Sequence, residues 1–340
     1  MSEFSKAVER CAEAESATLD LTTLSRSQFA HDHYLQVAVM AWWLLGTPNP
    51  PATVVVNANR NDVTQRAGLI AAAGERQVAV RLAADEAGRL TGLDEEDPID
   101  WRDYLEPAPA HDCVVFGNLA SSENRPPDPD EHGRRYQWMR GLVGAQKTLP
   151  PKLRDIAVSD GTRCLYELVD NVHRWAQADT GVGTVFVTRG GGQSSFDRLH
   201  IVVMDAGRGI ISSVLDSATA APILNTSLAE DPSGLLLHFM QKAFGERHIP
   251  RHNGHGLHVS QLLAKAWAGR VDVLASDHRT PGLIHHARRT VANGVEGCES
   301  FELPGVTGTL ASITLNLTPV TEEVRAKLRG EEEEHLGQLV

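Results

Sequence analysis

The sequence predicts an α/β protein that is divided into two domains. A chain of 340 residues is long for one domain and sufficient for two. Strand and helix patterns alternate in its first third, which is typical of a small α/β sheet. Residues 121–132 (SSENRPPDPDEH) lack periodicity and are dominated by proline and charge, so they indicate a linker. We therefore expect a small α/β domain at 1–120, a linker with a connecting helix at 121–150, a second domain at 151–318 and an acidic tail at 319–340.

The N-terminal elements follow from composition and periodicity. Residues 53–57 (TVVVN) are mostly β-branched, which favours a strand buried on both faces. The long apolar stretch at 29–45 predicts a helix, and Gly46 with the proline-rich segment after it ends that helix. In order, the predicted elements are a strand at 17–24, the helix at 29–45, the strand at 53–57, a helix at 62–73, and strands at 77–82 and 112–117.

The second domain is predicted to begin at Pro150 and Pro151, after a connecting helix at 136–142. Its first helix, at 163–176, has apolar residues at three- and four-residue spacing, which line one face for burial. The remaining predicted elements are a strand at 199–204, helices at 235–244 and 257–268, a strand at 270–275, a further strand within 280–297, and a strand at 310–317.

Charge, cysteine use and hydropathy exclude several classes of protein. The net charge of −12 argues against broad binding to the phosphate backbone of nucleic acid, which requires a basic surface. The four cysteines have neither metal-binding nor redox spacing, so we expect inert thiols in a reducing compartment. The longest apolar run, residues 37–45, is too short to span a membrane, and no basic segment precedes it. We therefore expect a cytoplasmic protein that does not contact a membrane.

Two polar residues share one face of the helix at 163–176. Glu167 and Asn171 lie four residues apart, which places them one turn from each other. A carboxylate and a carboxamide in this arrangement can hold a divalent cation and polarise a water molecule beside it. By itself such a pair is more typical of a solvated helix face, so the prediction depends on the motifs that follow.

Three glycine-containing motifs follow this helix along the chain. A predicted strand leads directly into residues 205–209 (DAGRG), where the glycines permit a tight turn and the close approach of a ligand. Residues 253–257 (NGHGL) open a predicted helix, and backbone N–H groups at such a helix start can bind phosphate. The third motif, Gly308 followed by Thr309, stands at the head of the last predicted strand.

In this order, the four motifs resemble those of the GHKL ATPase superfamily, which includes gyrases, heat-shock chaperones, histidine kinases and mismatch-repair proteins. The resemblance covers residues 153–317. It implies a Bergerat-type α/β sandwich, in which a mixed sheet is covered by helices, and it implies ATP and Mg²⁺ as ligands. The residues that match the motifs, together with their neighbours in the implied site, are Glu167, Asn171, Asp205, Gly207, Gly209, Arg251, Gly254, His255, Gly256, Leu257, Gly308 and Thr309.

The resemblance also implies a role for each central residue. Asn171 would ligate Mg²⁺, and Glu167 would act as the general base that orients a water molecule for attack on the γ-phosphate. Asp205 would bind the adenine amino group, with Thr309 supporting a water molecule nearby. Backbone N–H groups around residues 254–257 would hold the phosphates.

Residues 211–253 occupy the place of the ATP lid of this superfamily. An arginine there can clamp phosphate oxygens in a bidentate manner, whereas a lysine acts as a point charge. We favour Arg251 or Arg247 over Lys242 as the phosphate contact, because the two arginines lie nearer to the glycine turn.

The histidines near these motifs are not predicted to ligate a metal or to take the role of the superfamily's histidine. The superfamily has a histidine four residues after the asparagine of its first motif, where this chain has Trp175, and His173 lies on a different helix face. His252, His255 and His258 are close together in sequence, but no cysteine or carboxylate completes a metal-binding set. We therefore expect a polar turn there.

The N-terminal pattern of a strand (LDLTTLS), a long helix and a second strand (TVVVNAN) resembles a degenerate STAS-type domain over residues 17–83. STAS modules occur in anti-sigma-factor antagonists and are sometimes joined to GHKL ATPases. The phosphoacceptor Ser or Thr of that family has no clear counterpart in this chain. We therefore favour a module that only docks on the second domain.

Three functions are compatible with these features. The first is an ATP-gated conformational switch that acts on a protein partner and is reset by slow hydrolysis. The second is an anti-sigma-type serine/threonine kinase that acts on a STAS-like partner, because those kinases also carry a glutamate at the position of Glu167. The third is a non-catalytic, nucleotide-sensing scaffold. We favour the switch because the STAS-like module is already fused and no acceptor is evident, and we leave open whether the chain forms a homodimer.

Overall fold

The computed structural model describes residues 16–20, 33–51, 53–57, 63–82, 113–117, 119, 129–146, 149–188, 197–216, 231–241, 255–290 and 295–317. Within these ranges the chain forms ten strands, seven α-helices and one π-helical turn. The strands are β1 (Ser16–Asp20), β2 (Thr53–Asn57), β3 (Ala79–Leu82), β4 (Cys113–Phe116), β5 (Gly181–Thr188), β6 (Asp197–Asp205), β7 (Arg270–Ser276), β8 (Leu283–Thr290), β9 (Val295–Glu302) and β10 (Thr309–Leu317). The helices are α1 (His33–Gly46), α2 (Val63–Glu75), α3 (Pro129–Gly144), α4 (Pro151–Asn171), α5 (Ile210–Leu215), α6 (Pro232–Gln241) and α7 (His255–Ala266), and the π-helical turn Val172–Ala176 continues α4.

The larger of the two sheets has seven strands in the order β4-β5-β6-β10-β7-β8-β9, and each neighbouring pair is antiparallel. The α/β class predicted from the sequence is confirmed, but the prediction of a mixed sheet is wrong for these strands. The reason is connectivity. Strands β4, β5 and β6, and then β7, β8 and β9, are neighbours in chain order, so the chain reverses direction at each step. Strand β10 then lies between β6 and β7, antiparallel to both.

The smaller sheet has the order β1-β2-β3, and its strands are parallel. Neighbouring parallel strands need a long crossover connection. Helix α1 supplies it between β1 and β2, and α2 supplies it between β2 and β3. The β-α-β-α-β unit predicted from the sequence is therefore confirmed.

Helices α1 and α2 also pack on the outer face of the seven-stranded sheet. Their buried side chains form one apolar cluster with residues of β5, β6, β7, β8 and β10. Trp42 and Trp43 in α1 are fully buried, and α1 is apolar around its circumference, as expected for a helix that is covered on all sides. The N-terminal segment thus supplies one of the two helical layers of the larger sheet.

The opposite, inner face of the seven-stranded sheet shares a second apolar cluster with α3, α4, α6 and α7. The apolar stripe predicted for α4 is confirmed, since Leu165 and Leu168 are buried in this cluster. The helix begins earlier than predicted, at Pro151, where a proline is tolerated because its missing N–H has no intrahelical partner. Along β10 the side chains alternate between the two faces, so that Ile313 joins the inner cluster and Leu310 the outer one.

Strand β4 belongs to the segment that the sequence assigned to the N-terminal domain, yet it pairs with β5 of the larger sheet. Phe116 of β4 lies opposite Gly183, and its ring occupies the space that a Cβ atom at position 183 would take. The ring also stacks on Trp138 of α3 at a centroid distance of 5.7 Å. The absence of a side chain at Gly183 therefore allows β4 and α3 to close one edge of the sheet.

Several elements differ from their predicted bounds. Strand β5 was not predicted because Gly181 and Gly183 interrupt its apolar pattern, and the short helix α5 was not predicted either. Helix α3 begins at Pro129, within the predicted linker, and residues 280–297 hold β8 and the start of β9. Residues 121–128 and the acidic tail at 319–340 lie outside the described residues. Among the residues that the structure describes, no helix is long and apolar enough to cross a membrane.

Replacing Gly183 by alanine is expected to lower the free energy of unfolding by about 1–3 kcal/mol, because the new methyl group displaces the Phe116 ring. The matched control is Gly133→Ala in α3, where a Cβ atom meets nothing within 4 Å. That variant is expected to gain about 0.5–1 kcal/mol through helix propensity. Urea denaturation followed by fluorescence measures both. Changes of the same sign in the two variants would contradict the proposed packing of β4.

Candidate functional site

The candidate site begins where β6 ends. Asp205 is the last residue of this strand and is 3% exposed. Its Oδ1 accepts a hydrogen bond from the Gly207 backbone N–H at 2.9 Å, which closes the turn that follows the strand. The next residue, Arg208, donates its backbone N–H to the Ala176 carbonyl oxygen, also at 2.9 Å. The turn at 205–209 is therefore anchored to the π-helical turn at the end of α4.

Two positions around this turn require glycine. Gly209 has a φ of +80° and Gly308 a φ of +99°, values that residues with a side chain rarely adopt. A methyl group at position 209 would lie 2.6 Å from the Ser276 carbonyl oxygen, and one at position 308 would overlap the backbone of Asp205. The two glycines allow the turn, the end of β7 and the start of β10 to approach one another closely.

Thr309 lies opposite Asp205 across the β6–β10 pair. Its Oγ1 accepts a hydrogen bond from the backbone N–H of Ile210, the first residue of α5, at 3.0 Å. The threonine thus holds the start of α5 beside the turn. The structure therefore brings together five residues of the predicted site, which are Asp205, Gly207, Gly209, Gly308 and Thr309.

The carboxyl group of Asp205 has an unusual proton affinity. Burial raises its pKa from 3.8 to about 7, although backbone hydrogen bonds from Gly207 and Thr309 act in the opposite direction. The group therefore changes charge near neutral pH. Buried carboxyl groups with a pKa in this range are frequent at sites that bind a ligand or transfer a proton.

The second part of the site is the face of α4 that carries Glu167 and Asn171. Both side chains are half-buried. Gly256, in the first turn of α7, lies directly against them. A methyl group added there would be 3.0 Å from Asn171 Nδ2 and 3.1 Å from Glu167 Oε2. Gly256, one residue of the predicted glycine turn, therefore lies beside the pair.

Burial also raises the pKa of Glu167. Arg163 and Arg174 lower this pKa, while the nearby Asp170 raises it further, and burial is the largest of these effects. A glutamate with a raised pKa is better suited to accept a proton near neutral pH than an exposed glutamate is.

The end of α4 connects the two parts of the site. Asn171 closes the α-helix, and residues 172–176 widen into a π-helical turn. Gln177 then leaves this turn with a left-handed φ of +49°. Such π-helical turns are frequent at functional sites. Here the turn brings the Ala176 carbonyl oxygen to the Arg208 N–H, so the chain that continues α4 is bonded to the Asp205 turn.

The remaining predicted site residues are only partly described. Arg251 and Gly254 lie outside the described residues, as do Lys242, Arg247 and His252. His255 begins α7, and Leu257 is buried in the inner cluster. The phosphate contact expected of Arg251 therefore remains a prediction. In the described ranges, no group of three or more His, Cys, Asp and Glu side chains is arranged to hold a metal ion.

Two residues at this site were not predicted. The Trp42 indole N–H donates a hydrogen bond to the Asp205 carbonyl oxygen at 2.9 Å, and the Thr307 hydroxyl donates one to the Ala206 carbonyl oxygen at 3.2 Å. Trp42 lies in an apolar helix, where the sequence does not distinguish it from other core residues. The partners are 163 and 101 residues apart, so no local signal indicates either bond.

Comparisons with known proteins leave the family open. No family model matches the sequence, and no curated protein matches it. Among solved structures, 37 chains match. One of them is described as the crystal structure of the N-terminal domain of a DNA repair protein. It is 12% identical, with 41% of this chain and 32% of that chain covered and a TM-score of 0.19, so this chain spans about a third of its length. A TM-score this low does not establish a shared fold.

The charge on Asp205 is expected to destabilise the unliganded fold. As pH rises above 3.8, the carboxyl group ionises in the unfolded chain but stays protonated in the fold until about pH 7. The protonated Asp205 carboxyl group therefore contributes to the free energy of unfolding below pH 3.8, and this contribution is lost as the pH rises to about 7. The loss is on the order of 4 kcal/mol.

Asp205→Asn tests this expectation, because asparagine keeps an acceptor for the Gly207 N–H but does not titrate. The stability of the wild type relative to the variant should fall as pH rises from about 4 to about 8. Urea denaturation at several pH values measures the difference. A difference that does not depend on pH would contradict burial of the carboxyl group.

Proposed function

We propose that this chain is a regulatory ATPase of the GHKL type, a Mg-ATP-gated switch that acts on a protein partner and hydrolyses ATP slowly. The observation that carries the proposal is the convergence of three groups. A buried carboxyl group stands at the end of β6, and its turn is bonded through Arg208 to the π-helical turn that follows Asn171. The first turn of α7 lies against the half-buried pair on α4. A Bergerat-type sandwich with a STAS-like N-terminal layer is part of the same proposal.

Asp205 is the residue proposed to recognise the base. The exocyclic amino group of adenine is a hydrogen-bond donor, and a carboxylate buried beside it is an acceptor. The pKa of about 7 means that the carboxyl group is partly protonated near neutral pH before binding. Because a donor favours the ionised form, ATP binding is expected to release a proton. Guanine presents an acceptor at the same position, so GTP should bind more weakly.

Asn171 and Glu167 fit the phosphate end of the ligand. A carboxamide oxygen is a suitable ligand for Mg²⁺, which would offset the charge of the triphosphate when bound. The first N–H groups of a helix have no intrahelical partners, so the start of α7 can bind phosphate oxygens. Glu167, whose pKa is raised by burial, would accept the proton of an attacking water molecule.

The position of the turn supports a switch. On the outer face of the sheet its first residue is bonded to Trp42 of α1, and on the inner face Arg208 is bonded to Ala176 after α4. A ligand that moves the turn would therefore bias the arrangement of both helical layers. A partner that contacts either layer can detect this change.

Incubation with γ-labelled ATP and Mg²⁺ tests the proposed activity. We expect slow release of labelled phosphate by the wild type. Glu167→Gln should lower the rate by about 10²-fold or more while retaining ATP binding, because it removes the proton acceptor and keeps the shape. Asn171→Ala should weaken Mg²⁺-dependent binding. Label that appears on protein would favour the kinase, and a wild type that does not bind ATP would refute the proposal.

Gly256→Ala separates the function of the site from its stability. Alanine is the better helix former, which offsets part of the cost of the tight contacts, so the free energy of unfolding should fall by no more than about 1–2 kcal/mol. The new methyl group would crowd Asn171 and Glu167, so ATP hydrolysis should fall by about tenfold or more. The matched control is Gly144→Ala, where a Cβ atom meets nothing within 4 Å. Equal activity of the two variants would argue against a role for the pair on α4.

A further inference from the structure

The peptide group that follows Asp205 is held at both of its polar atoms. Its carbonyl oxygen, which belongs to Asp205, accepts the Trp42 indole N–H at 2.9 Å. Its N–H, which belongs to Ala206, donates to the Thr180 carbonyl oxygen at 3.2 Å. Rotation of this peptide group would break both bonds. Because the group is bonded directly to the Cα atom of Asp205, these bonds fix the direction in which the aspartate side chain leaves the strand.

One of these two bonds comes from outside the larger sheet. Thr180 immediately precedes β5, the neighbour of β6, so its contact is a continuation of the sheet. Trp42 lies in α1, and its side chain is completely buried between this helix and the sheet. A shift of α1 along its axis would withdraw the indole N–H and leave the Asp205 carbonyl without this donor.

A second contact joins the end of α1 to the same site. A methyl group at Gly46, the last residue of α1, would lie 3.0 Å from the carbonyl oxygen and 3.1 Å from the N atom of Thr307. The Thr307 hydroxyl in turn donates to the Ala206 carbonyl oxygen. Thr307 leads through Gly308 into Thr309. Helix α1 therefore touches both backbone segments that surround the Asp205 carboxyl group.

We infer that Trp42 is a positioning residue for Asp205, and that α1 couples the N-terminal α/β layer to the affinity and base selectivity of the nucleotide site. The inference rests on the proposed function, since it concerns the residue proposed to recognise adenine. A change that shifts α1 would weaken ATP binding through Asp205. By thermodynamic linkage, ATP binding would stabilise the present position of α1 to the same degree.

The chain contains a matched control for Trp42. Trp43 is the adjacent residue in α1, belongs to the same cluster and is also fully buried. Its indole nitrogen has no hydrogen-bond partner among the described residues. Replacing either tryptophan by phenylalanine removes a similar volume from the core. Only Trp42→Phe removes a hydrogen bond to the site.

The experiment is calorimetric titration of the full chain and its variants with Mg-ATP and with Mg-GTP. We expect Trp42→Phe to weaken ATP binding by about tenfold and to reduce the ratio of ATP to GTP affinity, because a misplaced carboxylate no longer selects the amino group. Trp43→Phe should change ATP affinity by less than about twofold, although both variants lose stability. A purely structural role of Trp42 would leave the affinity ratio unchanged.

Gly46→Ala provides an independent test if Trp42→Phe does not fold. It favours the helix but pushes against the Thr307 backbone, so ATP affinity should fall by about threefold or more while Gly133→Ala has no effect. If the wild type selects ATP over GTP, but these variants bind both nucleotides as the wild type does, only the inference about α1 is overturned. If the wild type binds neither nucleotide, the proposed function fails together with it.

Discussion

The burial of the Asp205 carboxyl group is the constraint on which the rest of the site depends. A carboxyl group 3% exposed is costly to ionise unless hydrogen-bond donors surround it. Here the donors are backbone N–H groups of Gly207 and Thr309, so the turn after β6 and the start of β10 must both be in place. That requires Gly308 to lie against the Asp205 backbone and Trp42 to hold its carbonyl oxygen. One buried acid therefore fixes the relation between two strands, a turn and an N-terminal helix.

Strand β6 shows why the N-terminal helices belong to this structure. Its residues alternate between the two apolar clusters, with Ile201 and Val203 in the inner cluster and Val202 and Met204 in the outer one. An antiparallel sheet often leaves one face to solvent, and its strands then alternate between apolar and polar residues. The run LHIVVM does not alternate in this way. Both faces of β6 are apolar and must be buried, and α1 and α2 bury the outer face.

The sequence predicts local features of this fold well and distant contacts poorly. The β-α-β-α-β unit and the apolar stripe of α4 could be predicted because each depends on neighbouring residues. The pairing of β4 with β5 and the Trp42–Asp205 bond could not, since they join residues far apart in the chain. Within the candidate site, the motifs pointed to two groups of neighbours, Asp205 with Thr309 across the β6–β10 pair and Glu167 with Asn171 against Gly256. Trp42, which donates to the Asp205 carbonyl oxygen, belongs to no motif.

A second buried aspartate in the same sheet indicates why Asp205 is better suited to a ligand than to stability alone. Burial also raises the pKa of Asp272 on β7, but His286, Arg270 and Arg288 hold it well below its ordinary range. Their nitrogens lie 3.0, 2.6 and 2.8 Å from its carboxylate. Asp205 receives backbone donors instead, and no cation within the described part of the chain contributes to its pKa. The buried Asp272 carboxylate shows how this fold stabilises a charge without a ligand, by placing cationic side chains against it. Under the proposed function, the amino group of adenine would be a further donor to this carboxyl group.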